Sequence, residues 1–226
     1  RSKDVFDHRK DPFQTGYFVD NNLRISGGNA RTNASFSYGN LTQQGIYKSF
    51  SDYTRNTARV NVSSQFTDWV RVGASAAYTK SYSTRIQGGD NLDGILLGGL
   101  RSSPDFDNSY YTGTYHGTDG SVLPNRHVSY RNPLGASTNP RYSNPLWNIH
   151  NNRNVTDVDR FTGSMEITLD PTSWLSITGR SGVDNFVDSR TERFPVMSAS
   201  YPTGFLTKYN IIEKQFNNDV FARASK

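Results

Sequence analysis

Between Tyr53 and Lys80 apolar and polar side chains alternate with a period of two on both sides of a short break, and this constrains the fold more than any other feature of the chain. Ala58, Val60, Val62 and Phe66 share one parity, while Arg59, Asn61, Ser63 and Gln65 take the other. After Thr67-Asp68-Trp69 the alternation resumes, with Val70, Val72, Ala74, Ala76 and Tyr78 set against Arg71, Gly73, Ser75 and Thr79. Successive side chains of a strand point to opposite faces, so this pattern predicts two strands, each with one apolar and one polar face, joined as a hairpin.

Further segments carry the same period. Ala34, Phe36 and Tyr38 alternate with Asn33, Ser35 and Ser37; Met165, Ile167 and Leu169 with Ser164, Glu166 and Thr168; Leu175 and Ile177 with Ser176, Thr178 and Arg180. Leu23 and Ile25 around Arg24 open the series, and Phe216 to Ala222 closes it, for about six or seven strands in all. The connections alternate in length. Gly27-Gly28-Asn29-Ala30, Thr67-Asp68-Trp69 and Asp170-Pro171-Thr172-Ser173 are short and built from turn-forming residues. At the opposite ends of the strands, residues 41–52, about 80–156 and about 187–213 read as long loops.

Unstructured connections beyond about 12–15 residues are uncommon in a compact soluble domain. Short turns on one rim and long loops on the other describe an antiparallel up-and-down transmembrane β-barrel, with the long loops extracellular. Val70 to Thr79 also matches the roughly 9–11 residues that a tilted membrane strand needs. The alternative is an antiparallel sandwich that buries one face in its own core. On the barrel reading, Ala34, Phe36, Tyr38, Ala58, Val60, Val62, Val70, Val72, Ala74, Tyr78, Met165, Ile167, Leu175 and Ile177 face lipid. Trp69 and Trp174 sit at the short turns of two hairpins that are built alike.

Two features stand out in the long middle loop. Leu92, Ile95, Leu96, Gly99 and Leu100 follow helical spacing after Asp90-Asn91 as a cap, with Pro104 beyond, which predicts one short loop helix over about 91–101. Tyr110, Tyr111, Tyr115, Tyr130, Tyr142 and Trp147 offer flat amphipathic faces suited to a substrate or a protein lid, or else pack the loop on itself.

Composition removes other classes. No apolar run approaches the roughly 18 residues of a spanning helix, since Ile95-Leu96-Leu97 is bounded by Gly94 and Gly98. The chain has no cysteine, hence no disulfide, thiol nucleophile or cysteine-held zinc. Its formal charge of +5 is spread singly over Arg24, Arg31, Arg55, Arg59, Arg71 and Arg85, which is not the footprint of a nucleic-acid binder. His8, His116, His127 and His150 lie far apart without metal-ligand spacing, and read as loop packing. Asp90, Asp93, Asp105, Asp107 and Asp119 miss the register of a calcium loop, and read as turn formers. No catalytic motif is present, so the expectation is a non-enzyme without metal or cofactor.

At Ile25-Ser26-Gly27-Gly28-Asn29, Gly45-Ile46, Ser51-Asp52-Tyr53-Thr54-Arg55 and Thr67-Asp68-Trp69-Val70-Arg71-Val72-Gly73, the chain resembles the SusC/RagA-type TonB-linked outer-membrane proteins. The resemblance continues through Leu96 to Asp107, Tyr130-Arg131-Asn132-Pro133 and Asn144-Pro145-Leu146-Trp147, and so covers nearly the whole chain. It implies a TonB-dependent transporter in the outer membrane of a Gram-negative, Bacteroidota-type bacterium, with a plugged barrel of about 22 strands. The implied partners are a SusD-like surface lipoprotein, the TonB complex and an oligosaccharide or oligopeptide substrate. Residues 1–226 are then expected to be part of a single barrel domain, with the plug, the N-terminal domain and the TonB box outside this sequence. A secreted β-rich adhesin or carbohydrate-binding module would show the same alternation but would cover its apolar face with protein.

Overall fold

The computed structural model describes residues 5–49, 51–88, 92–136 and 141–225. Seven long strands form one antiparallel sheet: β1 (Tyr17–Gly28), β2 (Thr32–Gln44), β3 (Asp52–Thr67), β4 (Val70–Arg85), β7 (Arg153–Thr172), β8 (Leu175–Phe194) and β9 (Phe205–Ala224). Every strand pairs with its neighbour in sequence except at β4–β7. That gap holds α1 (Ile95–Arg101), a hairpin of β5 (Thr112–His116) and β6 (Val122–His127), and α2 (Pro145–Asn151). The architecture is an all-β up-and-down sheet with its major excursion at one rim. No helix among the described residues is long and apolar enough to cross a membrane.

The short turns form for local reasons. Asn29 Oδ1 accepts the backbone N–H of Arg31 at 2.9 Å and of Thr32 at 2.8 Å, closing the β1–β2 turn by itself. A side chain at Gly28 would sit 2.3 Å from the Thr32 carbonyl, so the close approach of the two strands requires glycine. The β3–β4 and β7–β8 hairpins each carry a register shift at the turn, between Gln65 and Thr67 and between Leu169 and Thr172. The two tryptophans that follow play the same part: the Trp69 carbonyl accepts Asp170 N–H at 2.8 Å, and the Trp174 carbonyl accepts Ser225 N–H at 2.9 Å. Each turn is thereby tied to the next hairpin, which is the structural content of the repeat in the sequence.

The strands are longer than their alternating segments. β7, β8 and β9 run for 20 residues each, so the loop expected over about 187–213 shrinks to residues 195–204. The other two long loops likewise reduce to 45–51 and 86–152. The added halves, such as Asn185–Arg193 against Leu206–Lys214, are mostly polar on both faces. They hydrogen-bond as a ladder without showing the period that marks a half-buried strand. In place of one loop helix the described residues form two, α2 being unforeseen. α1 begins at Ile95 after Gly94, and the Asp90-Asn91 cap lies outside the described residues.

Burial is inverted relative to a sandwich. Few sheet residues are buried, among them Ala77, Thr168, Thr178 and Asp188. The buried apolar core instead lies at the loop rim, in Ile95, Val128, Trp147, Ile149, Phe194, Met197 and Ala199. Segments 5–16, 86–152 and 195–204 converge there: Phe6 N–H donates to the Pro104 carbonyl at 2.8 Å, and Ser143 N–H to the Leu92 carbonyl at 2.8 Å.

Candidate functional site

Register determines which side chains share a face. One cross-strand row runs Ile25–Phe36–Val60–Ala76–Gly163–Val183–Phe216 over all seven strands. The rows toward the short turns hold Ala34–Val62–Ala74–Met165, then Val72–Ile167 and Val70–Leu169–Ile177, with Leu175 beyond the bulge. The row toward the loops is Tyr38–Ala58–Tyr78–Phe161. All the residues expected to face lipid therefore lie on one face. Among the described residues no other layer covers it: Val60 is 44% and Met165 46% exposed.

The apolar band has two defined borders. At the loop side the Tyr38 hydroxyl donates to Asn56 Oδ1 at 2.8 Å and the Tyr78 hydroxyl donates to Asp159. Lys80 then bridges Asp157 and Asp159, each at 3.1 Å, where polar residues take over most of the face. At the turn side stand exposed Phe66, Trp69 and Trp174. From Trp69 to Tyr78 is about 30 Å along a strand. At a tilt of ~40° that is about 23 Å, against an apolar band of about 25 Å in outer-membrane barrels.

The opposite face is mostly polar, with Phe18, Leu41, Ala77, Val158, Phe186, Ile211 and Phe221 among its apolar members. Ser75 and Ser164 share a hydrogen bond of 2.8 Å, and Thr168 and Thr178 one of 3.1 Å. The three arginines that β7 and β8 place on this face each have a carboxylate: Arg160 with Asp184, Arg180 with Glu166, Arg190 with Asp188. The two exposed pairs, Arg160–Asp184 and Arg180–Glu166, stabilise by about 0–1 kcal/mol each, so their main effect is to orient and neutralise, while Arg190 covers the buried Asp188.

The loop rim is organised by buried polar groups. His127 is fully buried; its Nδ1 lies 3.0 Å from the Met197 carbonyl and its Nε2 accepts the Asn144 backbone N–H at 2.9 Å. A backbone N–H can only donate, so Nε2 is unprotonated and Nδ1 carries the hydrogen. Burial pushes this imidazole down to about 4, keeping it neutral. Asn144 caps α2 by accepting Leu146 N–H at 2.9 Å and donates to the Asn108 carbonyl at 2.9 Å, with Pro145 as first helical residue. Asp93, also buried, accepts Ser143 Oγ at 2.5 Å and Ser200 N–H at 3.0 Å. Asp107 and Asp119 accept Ser109 and Ser121 N–H, as turn formers do. Among the described residues no three His, Cys, Asp or Glu side chains are grouped to hold a metal.

The six loop aromatics are not brought to one platform. Trp147 is 5% exposed and stacked on His127 at 4.5 Å, so its face is taken up by packing. Tyr111 stacks on His150 at 5.2 Å. Tyr142 lies under Arg101 at 4.6 Å, and Arg131 approaches both Tyr130 and Tyr142. Tyr115 is half-buried in β5, and Tyr110 is exposed. The residues that organise the rim, His127, Asn144, Asn108 and Asp93, were not singled out as a group by sequence. The Asn-Pro pair at 144–145 was the available signal, being a cap followed by proline at the first helical position.

No family model matches the chain, and no curated protein does. Among solved structures it is similar to the RagAB peptide importer in the closed-closed state and to the RagAB peptide transporter, each with TM-score 0.68 and 19% identity over 96% of this chain. The open-open state of the importer matches with TM-score 0.67 at the same identity. The chain spans only 23–24% of the length of those chains. At this identity the likeness is one of fold: the described sheet, with its rim, has the fold of a part of an importer chain.

Proposed function

We propose that residues 1–226 form part of the barrel wall of a TonB-dependent outer-membrane transporter of the SusC/RagA type, importing oligopeptides or oligosaccharides. One observation carries this reading: an apolar band of membrane height, uncovered by any other described residues and bordered by aromatics, on a sheet whose opposite face is mostly polar. A sheet seven strands wide with unpaired edges at β1 and β9 cannot meet its backbone hydrogen-bonding needs in hydrocarbon. It requires further strands, in keeping with the small share of the importer chains that it matches. Ala34, Phe36, Tyr38, Ala58, Val60, Val62, Val70, Val72, Ala74, Tyr78, Met165, Ile167, Leu175 and Ile177 face lipid in this reading, and the rim of helices and the β5–β6 hairpin faces the outside. There it meets a SusD-like lipoprotein or the incoming solute through exposed Tyr110 and Tyr130. TonB acts through parts of the protein beyond these residues.

The likeness to a peptide importer favours peptides as substrate. The adhesin alternative draws no support, since such a module would cover its apolar face. The test is uptake by cells of a labelled oligopeptide mixture and a labelled glycan mixture, with and without the intact gene. Loss of import on deletion, together with co-purification of a lipoprotein, is the expected result. Unchanged import of both mixtures contradicts the reading.

A further inference from the structure

The polar face is electrostatically uneven. On β7 and β8 its arginines are matched by acids, whereas Arg24, Arg55 and Arg59 on β1 and β3 have no ion pair among the described residues. Arg24 and Arg59 share one cross-strand row with Ser37 between them, about 10 Å apart at ~4.8 Å per strand. Arg55 lies four residues along β3 on the same face, about 13 Å from Arg59. The row between them is Asn22–Gly39–Thr57. A side chain on Gly39 would meet Asn22 Oδ1 at 2.9 Å, so glycine keeps the floor low while Asn22 leans across it.

These residues line a cleft of about 440 Å³, enough for two or three residues of an extended solute. Its one carboxylate, Asp20, accepts Asn22 Nδ2 at 2.9 Å. Three guanidiniums thus face one acid, over a floor of Ser37, Gly39 and Thr57 that supplies hydroxyl groups and room. Guanidinium forks match carboxylates in a planar, two-point geometry that neutral solutes cannot use.

We propose that Arg24, Arg55 and Arg59 form a carboxylate-binding subsite on the lumen wall, selecting solutes with a free or side-chain carboxylate. This rests on the transporter reading above. The carboxylate has two possible sources, an acidic peptide or a uronic-acid glycan, and the shared chemistry is what the cleft recognises.

The test uses the full-length protein that contains these residues, purified in detergent, and four probes: an acidic pentapeptide, the same peptide amidated at its C-terminus with every Asp and Glu replaced by Asn and Gln, a uronic-acid trisaccharide and its neutral counterpart. Binding is measured by calorimetry for the native protein, for Arg24→Gln/Arg55→Gln/Arg59→Gln and for the corresponding triple lysine variant. Heat-modifiable gel migration reports barrel assembly, and Arg59→Gln alone serves if the triple variant does not assemble. The native protein should favour the carboxylated member of one pair by roughly tenfold or more. That preference should fall at high salt, vanish in the glutamine variant and persist in part with lysine, while neutral-probe binding stays unchanged. The favoured pair identifies the source. An assembled glutamine variant that keeps the preference overturns the subsite, as does equal loss of neutral binding, which would mean that the arginines hold another part of the same protein. Native protein that binds neutral and acidic probes alike overturns the subsite and leaves the transporter reading standing. Binding of none of the four contradicts that reading too.

Discussion

The Nε2 of His127 accepts the backbone N–H of Asn144, the residue that caps α2, at 2.9 Å. Through its other nitrogen the same ring meets the Met197 carbonyl, so one imidazole joins the end of β6, the start of α2 and the 195–204 turn. Around it a rim of loops acquires a core, with Trp147 stacked on the ring and Ile95 and Ile149 buried in the rim's two helices. The Met197 carbonyl and the Asp93 carboxylate favour its charged form, and burial outweighs both.

This geometry makes the rim acid-sensitive. His127 has a folded value near 4 against about 6.5 when exposed, so the unfolded rim binds more protons between these limits. Stability of the rim is complete above pH 6.5 and falls as pH drops toward 4, by up to about 3 kcal/mol. Hydrogen exchange of α2 amides between pH 7 and 4, corrected for intrinsic rates, should show this loss of protection. His127→Gln should flatten the dependence.

Removing the cap of α2 isolates its contribution. Asn144→Ala deletes the bond to Leu146 N–H and leaves the Asn108 carbonyl without its donor, at a cost of about 1–3 kcal/mol. Faster exchange at Leu146 and Trp147, with the sheet amides unaffected, is the expected signature.

On the sheet, the two faces should differ sharply in their tolerance of charge. Val72→Arg places a guanidinium in the middle of the apolar band and should cost about 2–4 kcal/mol. Ser75→Arg, on the polar face, should cost only about 1 kcal/mol, for the bond to Ser164. Urea unfolding of the intact barrel protein in lipid vesicles measures both.

Expressed alone, residues 1–226 should not give a cooperative monomer. β1 is exposed along its whole length and β9 from Lys208 to Ala224, so both edges are open templates for pairing with another chain. Light scattering without detergent should show aggregates, and a monodisperse monomer with a sharp melt would contradict the need for further strands.

What could be read in the sequence follows from how strongly each feature is written. Val60 and Val72 sit on runs of strict alternation, and the turn at Gly28 needs glycine, so the hairpins and the grouping of side chains on a shared face were legible. The upper halves of β8 and β9 were not, because Asp188, Arg190 and Glu192 stand opposite Ile211, Tyr209 and Thr207 in a ladder with no apolar parity. Trp147 looked like a binding face since an aromatic in a loop carries no mark of burial; only its stacking on a histidine twenty residues away removes it from the surface.

The measurement closest to the central claim uses the absence of cysteine from this chain. Single cysteines at positions 60, 61, 72 and 75 of the full-length protein, on a background free of other cysteines and reconstituted in vesicles, are challenged with a water-soluble thiol reagent and, as nitroxides, with oxygen. Positions 60 and 72 should resist the reagent and be oxygen-accessible, while 61 and 75 react through the lumen. Equal aqueous reactivity at all four positions would contradict a lipid-facing sheet.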